Sequence, residues 1–361
     1  MKINQKRLVD NFIKLVKIDS ESGEEKEIIS HLKKELQSLG FKTYIDKIGN
    51  LIASNSNKPI VALIAHVDTV KPGKGIKPII TKSGVIKTDG STILGSDNKA
   101  GIVAILEILK SFKDHKQKIS LEIVFTVSEE VGLLGSSSLD FKKIRSKRAI
   151  NLDSKPGDIC VSEPSVMHFD IEIKGRAAHA GMEPEKGINS ILVASEAIAK
   201  LKWGRIDKET TINIGIINGG MARNIIPQSV ILQAEVRSRN PKQFKKYSSE
   251  IIAEFNKAVK KYSAKCKIIS RQVSSAFIIK SSDYLVQLLI NSCRSSKLKY
   301  RVIPIDGFTD ASHFNRYGIK TVTAGAAGDN IHTTDESLRI KDLVNGTKII
   351  HDTILELAKE G

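Results

Sequence analysis

Cysteine is scarce in this 361-residue sequence, and its three copies, Cys160, Cys266 and Cys293, lie far apart without Cys-x-x-Cys spacing. This pattern indicates reduced thiols and argues against a disulfide framework or a cysteine-ligated zinc site. The sequence also lacks an apolar run of about 18 residues that would cross a membrane, and its first residues lack the apolar core of a signal peptide. We therefore expect a cytoplasmic protein with no membrane partner.

Aromatic residues are also few, at 5% of the chain, whereas Lys and Arg outnumber Asp and Glu and give a net charge of +17. A charge of this size is compatible with a polyanionic partner. The excess is mostly lysine, however, and it is spread over the whole chain without a basic stripe interleaved with aromatic residues. We therefore predict a solvated, lysine-rich surface and no nucleic-acid partner, with nucleic-acid binding as the weaker alternative.

The sequence does contain a short apolar run that ends in polar residues, VALIAHVDTV, at 61–70. A run this short and continuous predicts a strand that is buried on both faces. Residues two apart on a strand point to the same side, so we expect His66 and Asp68 to lie together at the strand's carboxyl end, where open α/β sheets bind their ligands. The hypothesis is that His66 is a metal ligand oriented by Asp68. The alternative is a strand-end histidine that only forms hydrogen bonds.

Three further acidic segments lie at the predicted ends of elements. Asp97 precedes an apolar helix, Glu129 and Glu130 follow one buried strand, and Asp153 follows another. Taken alone, Asp97 is explained as a helix cap. Adjacent carboxylates such as Glu129 and Glu130, however, repel each other unless a cation lies between them. Together with His66, these acids have the composition of a two-metal site at one edge of a sheet.

The start of the chain predicts two helices from the spacing of its apolar residues. The first covers 5–18, and the second starts at Ser22 and ends at Gly40. The sequence from Ser22 to Glu25 matches a capping box, which predicts that these two side chains cap the second helix.

The length of the chain and a change of pattern after Pro164 indicate two domains. The order of elements from this point is β-α-β-β-α-β, which is typical of a ferredoxin-like arrangement. The predicted elements are strands at 166–174, 211–217, 229–236 and 265–271, and helices at 188–201 and 241–261. We therefore predict a catalytic domain formed by 1–165 and 275–361, with 166–274 inserted into it.

Six motifs carry a resemblance to one enzyme family: HVDTV, GSDNKAG, SEEVGLLGS, AAHAGMEPEKGINSI, NGGMARNIIP and GAAGDNIHTTDE. The chain resembles the co-catalytic di-zinc metallopeptidases, the family that contains peptidase T, glutamate carboxypeptidase, aminoacylase and succinyl-diaminopimelate desuccinylase. The resemblance covers nearly the whole chain, and within the family it is greatest to peptidase T. It implies an α/β fold, namely a zinc-peptidase-like catalytic domain with a central mixed sheet, plus an inserted α+β ferredoxin-like lid and dimerisation domain.

The resemblance implies two Zn²⁺ ions per subunit. His66, Asp97 and Asp153 would bind one ion. Asp97, Glu130 and His332 would bind the other, so that Asp97 bridges the two. Mn²⁺ and Co²⁺ are alternatives, because carboxylate-rich sites also suit manganese.

The resemblance also implies roles for five residues that do not bind the metals. Glu129 would be the general base that takes a proton from the attacking water, and Asp68 would be the partner of His66. His179, in the inserted domain, would contact the substrate carbonyl, in the other subunit's site if the protein is a homodimer. Asn218 and Arg223 would bind a substrate carboxylate, which suits the guanidinium fork.

The sequence departs from the peptidase T pattern at Asn98, where these enzymes commonly carry a second aspartate. The bridging residue Asp97 is retained, so metal binding is expected to survive. The resemblance further implies a cis peptide bond between Asp97 and Asn98. The histidines at His31, His115 and His351 match no ligand motif, and we predict that they lie on the surface.

The expected function is therefore metal-dependent hydrolysis of an amide bond in a short peptide, most simply removal of the N-terminal residue from tripeptides or dipeptides. One alternative keeps the same metals and acts as a carboxypeptidase or as a deacylase of N-acyl amino acids. A non-enzyme alternative is a catalytically silent binding protein of this fold. Loss of a metal ligand or of Glu129 would indicate a silent binding protein. The predicted metal ligands and Glu129 are all present in the sequence.

Overall fold

The structure is a computed structural model that describes residues 3–359. Its α-helices are α1 (Gln5–Val16), α2 (Lys26–Ser38), α3 (Ser96–Asp114), α4 (Leu134–Ser137), α5 (Ser190–Lys200), α6 (Pro241–Lys261), α7 (Tyr284–Ser295), α8 (Ala311–Arg316) and α9 (Ile340–Leu357). Its strands are β1 (Lys42–Ile45), β2 (Leu51–Ser54), β3 (Val61–His66), β4 (Ile79–Ile80), β5 (Val85–Lys87), β6 (Leu121–Thr126), β7 (Arg148–Asn151), β8 (Asp158–Glu163), β9 (Ser165–Lys174), β10 (Gly204–Arg205), β11 (Thr210–Gly219), β12 (Ser229–Ser238), β13 (Lys265–Ser274), β14 (Phe277–Ile278), β15 (Arg301–Pro304), β16 (Lys320–Thr323) and β17 (Ser337–Arg339).

One compact unit combines the residues up to Ser162 with Ile278–Ile305 and the residues from Thr309 onward. Its centre is a nine-stranded mixed sheet in the order β1-β2-β6-β3-β7-β16-β8-β14, with β15 paired to β8. Strands β6, β3, β7 and β16 are parallel neighbours, and every residue of β3 and β6 is buried. Burial on both faces explains the apolar runs at 61–65 in β3 and at 123–125 in β6. The predicted α/β fold with a central mixed sheet is confirmed.

Helix α3 contacts β3, α1 and α9, so it is buried along most of its length. Its buried Glu107 is paired with Arg7 of α1 at 2.6 Å. The prediction that His351 lies on the surface is wrong. His351 is only 1% exposed, its ring is stacked on Phe112, and its Nδ1 atom lies 2.9 Å from a carboxylate oxygen of Asp352. The face of α9 that carries His351 is the face that packs on α3.

The second compact unit combines Glu163–Phe277 with Asp306–Phe308. Its antiparallel sheet has the order β10-β11-β12-β9-β13. Alternate residues of β9 and β12 are buried together with α5 and α6, which gives the unit a hydrophobic core of its own. The predicted β-α-β-β-α-β order is present, with the two-residue strand β10 added.

The capping box predicted for the second helix is wrong. Helix α2 begins at Lys26, and no side-chain cap is present at its N-terminus. The Ser22 hydroxyl instead donates to Asp68, and the Glu25 carboxylate accepts from Ser128. Both side chains thus stabilise loops beside the strand ends. Within residues 3–359, no helix is both long enough and apolar enough to cross a membrane.

Candidate metal centre

The sheet register brings the predicted acids and imidazole to one edge. Strand β3 lies between β6 and β7, and His66, the last residue of β3, is in register with Thr126, the last residue of β6. Because the three strands are parallel, the residues that follow them emerge on the same side. The segments that carry Asp68, Glu129 and Asp153 therefore meet at the carboxyl ends of the strands, as predicted.

Asp97 lies between the two histidines, with each carboxylate oxygen directed to a different ring. Its Oδ1 atom is 3.1 Å from Nε2 of His66, and its Oδ2 atom is 3.2 Å from Nε2 of His332. Beyond the first histidine, Asp153 Oδ1 lies 3.9 Å from Nε2 of His66. Beyond the second, Glu130 Oε1 lies 3.0 Å from Nε2 of His332. The five residues thus form two groups that share one carboxylate.

The spacing of these atoms fits metal ligation. Potential ligand atoms of His66, Asp97 and Glu130 all lie within 4.8 Å of one another. Two ligands at about 2.1 Å from a tetrahedral zinc ion are roughly 3.4 Å apart, and the pairs in this site lie at 3.0 to 3.9 Å. The carboxylate and imidazole donors also match the ligands that Zn²⁺ and Mn²⁺ accept. The residues present therefore fit two divalent cations that share Asp97.

The electrostatics of the site reflect a high density of negative charge. Hydrogen bonds to Asp97 and Glu130 raise the pKa of His332 to about 10. Burial lowers the pKa of His66, but its hydrogen bonds to Asp68 and Asp97 outweigh burial and raise the pKa well above its usual value. The carboxylates around the two imidazoles thus favour the charged form of each ring.

The pKa values of the acids in the site are shifted in opposite directions. Burial raises the pKa of Glu129 and of Asp153, and the charges of neighbouring carboxylates add to this effect. Burial also disfavours the charged form of Asp97, but hydrogen bonds to His332 and His66 outweigh it and lower the pKa of that carboxyl. Asp97 is therefore the most strongly acidic of the three.

Asp68 links the histidine to the pair of glutamates. Its Oδ1 atom accepts from the backbone N–H of Glu129 at 2.9 Å, and its Oδ2 atom accepts from that of Glu130 at 3.1 Å and from the hydroxyl of Ser22 at 2.7 Å. The His66 Nδ1 atom lies closer to the carbonyl oxygen of Asp68, at 3.0 Å, than to its carboxylate, at 3.5 Å. The backbone of Asp68 thus orients the ring, while its carboxylate fixes the turn that carries the glutamates.

A second carboxylate, which we had interpreted as part of a helix cap, holds the same turn. Glu25 Oε1 accepts from the backbone N–H of Ser128 at 3.0 Å and from its hydroxyl at 2.9 Å. Ser128 has a left-handed backbone with φ of 52°, so a conformation unusual for a serine is stabilised at this point. Glu129 follows it and is only 8% exposed. Its carboxylate is therefore presented from a turn that is fixed on both sides.

Two buried acids of the site were missed in the sequence. Asp310 is 1% exposed, and its Oδ2 atom accepts from the hydroxyl of Thr126 at 2.5 Å. Glu336 is also 1% exposed, and it accepts from the segment that leads into Asp97. Glu336 is the last residue of the motif GAAGDNIHTTDE that contains His332, whereas Asp310 lies outside the six motifs. The available signal in both cases was an acid placed next to Thr or Ser.

The Asp97–Asn98 peptide bond is cis, as predicted. Asn98 is buried, and its Oδ1 atom accepts from the backbone N–H of Gly101 at 3.2 Å. A Cβ atom on Gly101 would lie 2.3 Å from both that Oδ1 atom and the carbonyl oxygen of Leu152. Glycine at this position therefore allows α3 to approach the strand that leads to Asp153.

The inserted unit places its three predicted substrate contacts on an exposed surface. His179 and Ile225 form an antiparallel bridge, and the N–H of Ala180 donates to the carbonyl of Asn224 at 2.9 Å, so His179 and Arg223 lie on paired segments. Asn218 lies near the end of β11. His179 Nδ1 accepts from the N–H groups of Gly181 and Met182 at 3.2 and 3.1 Å, which leaves Nε2 as the donor of a neutral ring.

Two family models match parts of the chain. Residues 161–263 match the peptidase dimerisation domain of the M20 peptidases, and residues 71–160 match the model described as M42 glutamyl aminopeptidase. The first match lies almost wholly within the inserted unit, and the second covers the segments that carry Asp97, Glu129, Glu130 and Asp153.

Relatives that align along nearly their entire length extend the similarity to the whole chain. An uncharacterised protein of Bacillus subtilis, YqjE, is 35% identical over 99% of this chain and 100% of its own. Peptidase T of Fusobacterium nucleatum is 25% identical over 98% of this chain and 97% of its own.

Two solved structures have the same architecture. A tripeptidase from Staphylococcus aureus superposes with a TM-score of 0.93 at 33% identity, covering 99% of this chain and 100% of that one. The aminopeptidase PepT from Bacillus cereus superposes with a TM-score of 0.88 at 34% identity, covering 99% of both.

Proposed function

The chain belongs to the M20 peptidase family, which includes peptidase T, and from this premise we propose that it is a metal-dependent aminopeptidase that removes the N-terminal residue from tripeptides or dipeptides. The observation that carries the proposal is the position of Asp97, whose two oxygens face two different imidazoles at 3.1 and 3.2 Å. A carboxylate shared in this way is suited to two cations and is unusual for a site that holds only one.

Five residues would hold the metal ions. His66 and Asp153 would bind one ion, Glu130 and His332 the other, and Asp97 both. When bound, two divalent cations activate water as a nucleophile and polarise the scissile carbonyl. The ions are proposed to be Zn²⁺, with Mn²⁺ and Co²⁺ as alternatives that the same donors accept.

Glu129 would act as the general base. It is adjacent to the ligand Glu130 and is 8% exposed. Its carboxylate takes the proton from the attacking water and delivers it to the nitrogen of the leaving amine. Asp68 and Glu25 hold the turn in place, so the carboxylate needs little reorganisation during the reaction.

The inserted unit would supply the groups that bind the rest of the peptide. His179 presents an Nε2–H donor, because its Nδ1 atom already accepts from two backbone N–H groups. Such a donor would stabilise the negative charge that develops on the scissile carbonyl oxygen. Arg223 and Asn218 would bind the C-terminal carboxylate of the peptide. We further propose that the protein is a homodimer that pairs through this unit, and that His179 acts in the partner's site.

A panel of small substrates tests this function. The purified protein is loaded with Zn²⁺ and assayed against free tripeptides, free dipeptides, N-acetylated tripeptides and N-acyl amino acids, and the products are identified by mass spectrometry. We expect free peptides to lose their N-terminal residue and N-blocked substrates to remain intact. Protein treated with a chelator is the matched control, and it should be inactive until metal is returned.

The other outcomes each identify a different function. Release of the C-terminal residue would indicate a carboxypeptidase, and preferential cleavage of N-acyl amino acids would indicate a deacylase. If the protein binds two metal ions and cleaves none of the substrates, the reading as a binding protein replaces the proposal.

A further inference from the structure

A backbone bridge closes the loop that carries His332, and the buried acid Glu336 lies next to that bridge. Asp329 and Ser337 form an antiparallel bridge, with N–H···O distances of 2.8 and 3.0 Å, which brings the two ends of the loop together. His332 lies within it and has a left-handed backbone with φ of 63°. Glu336 immediately precedes the closing residue Ser337 and is 1% exposed. The ligand histidine and this buried acid therefore belong to one rigid loop.

The carboxylate of Glu336 accepts four hydrogen bonds from one short segment of the chain. Its Oε2 atom accepts from the backbone N–H groups of Leu94 and Gly95, each at 2.8 Å. Its Oε1 atom accepts from the hydroxyl of Ser96 at 2.6 Å and from the backbone N–H of Asp97 at 3.1 Å. The four donors are consecutive in sequence and end at the shared carboxylate residue, about 240 positions away from Glu336.

The type of side chain matters at this position. A carboxylate offers only acceptors, and here each oxygen is matched by two donors. A glutamine of the same size would replace one oxygen with an NH₂ group and so place a donor against two donors. The neighbouring Gly328 leaves no room for rearrangement, because a Cβ atom there would lie 2.5 Å from the Ser96 hydroxyl and 2.3 Å from the carbonyl oxygen of Ser337. The contact thus depends on a side chain of this length that carries two acceptor oxygens.

The contact joins two ligands that are distant in sequence. Glu336 is four residues after His332, and its hydrogen bonds end at Asp97, whose Oδ2 atom lies 3.2 Å from Nε2 of His332. The hydrogen bonds of Glu336 therefore fix the position of the His332 loop relative to Asp97.

We propose that Glu336 is a positioning residue for the metal ion held by Asp97, Glu130 and His332: it joins the loop of His332 to the segment of Asp97 so that the two ligands are in place before that ion binds. This inference rests on the proposed two-metal function. It predicts that loss of the Glu336 carboxylate weakens this ion more than the ion at His66 and Asp153. Both ions share Asp97, but only this ion also depends on His332, and none of the four hydrogen bonds of Glu336 reaches the segments of His66 and Asp153.

The test compares Glu336→Gln with Glu122→Gln. Glu122 is also 1% exposed, and its carboxylate accepts from the backbone N–H groups of Arg145 and Ser146. It lies near the start of β6, whereas the metal centre lies beyond the end of that strand. Zn²⁺ affinities of both variants and of the wild type are measured by competition with a chromophoric chelator, and the Tm of each metal-free protein is recorded.

We expect Glu336→Gln to bind the ion at Glu130 and His332 about 10- to 100-fold more weakly, the range typical of an outer-shell partner of a metal ligand, and to bind the ion at His66 and Asp153 with a smaller loss because the two ions share Asp97. Glu122→Gln should lower Tm to a similar extent and leave both affinities unchanged. Excess Zn²⁺ should restore turnover in Glu336→Gln, which a purely structural defect would not allow.

Equal binding of both ions by Glu336→Gln and the wild type, or an equal loss in Glu122→Gln, would overturn the inference. If Glu336→Gln does not fold, Ser96→Ala decides the question, because it removes one of the four donors and should weaken the ion at Glu130 and His332 severalfold. Unchanged binding of that ion in Ser96→Ala would then reject the role of Glu336. A wild type that binds fewer than two ions would instead contradict the proposed function itself.

Discussion

Two adjacent glutamates at the end of β6 are predicted to have different roles, and this difference is the sharpest consequence of the site geometry. Glu130 Oε1 lies 3.0 Å from Nε2 of His332 and belongs to the group of potential ligands. Glu129 is 8% exposed, and among residues 3–359 its carboxylate forms no ion pair with a histidine, whereas Asp153 and Glu130 each do. The substitutions Glu129→Gln and Glu130→Gln make the same chemical change one residue apart, so each is the matched control of the other.

The two variants should lose different properties. Removal of a general base typically slows the chemical step by about 10²- to 10⁴-fold, which corresponds to roughly 3–5 kcal/mol in the barrier. Glu129→Gln should therefore lose most of its turnover and keep its metal. Glu130→Gln removes a ligand oxygen, so its second ion should bind at least about 10- to 100-fold more weakly, the loss seen when only an outer-shell partner is removed.

The assay combines metal analysis with kinetics. Both variants are loaded with Zn²⁺, dialysed against metal-free buffer and analysed by mass spectrometry for bound metal, and kcat is measured on a free tripeptide. The backbone N–H groups of both residues donate to Asp68 in the wild type and are unchanged by either substitution, so both variants should fold, and the Tm of each metal-free variant checks this. Equal loss of metal from both variants, or unchanged turnover in Glu129→Gln, would refute the assignment of base and ligand.

Three further predictions follow from other parts of the structure. The pKa of His332 is raised to about 10 in the metal-free protein, so this ring is protonated near neutral pH. Metal binding should therefore release its proton, and the apparent affinity for the metal should rise about tenfold per pH unit below 10. Titration calorimetry in buffers of different ionisation enthalpy measures both effects. Asp68→Asn replaces an acceptor with a donor against buried N–H groups and should lower the free energy of unfolding by about 1–3 kcal/mol, measured with urea. Mixed dimers made by co-refolding His179→Ala with Glu129→Ala should recover about a quarter of wild-type activity, because half of the dimers are mixed and one of their two sites is intact; confirmed subunit exchange without recovery would exclude a role for His179 across the interface.

The strands that build the site could be predicted from the sequence because their signal is local. Burial on both faces favours apolar residues, and the apolar runs at 61–65, 123–125 and 149–150 lie in β3, β6 and β7. Helix α6 was predicted with its observed bounds, since Pro241 and the amphipathic pattern that follows define it. The short strands β8 and β15 were missed, because their pairing joins segments more than a hundred residues apart.

The supporting side chains could not be predicted for a related reason. Ser22 and Glu25 have the spacing of a helix cap, yet their oxygen atoms serve Asp68 and Ser128 instead. A local pattern cannot reveal that a tertiary contact competes for the same side chain. Glu336 is a still clearer example, because its partners are the residues before Asp97 and nothing in its own segment indicates them.

The most direct test of the two-metal centre is anomalous diffraction at the zinc edge from crystals of the Zn²⁺-loaded protein. Two peaks about 3.5–4 Å apart are expected, one beside His66 and Asp153 and the other beside Glu130 and His332, with the Asp97 carboxylate between them. A single peak, or two peaks that do not share Asp97 as a ligand, would contradict the account.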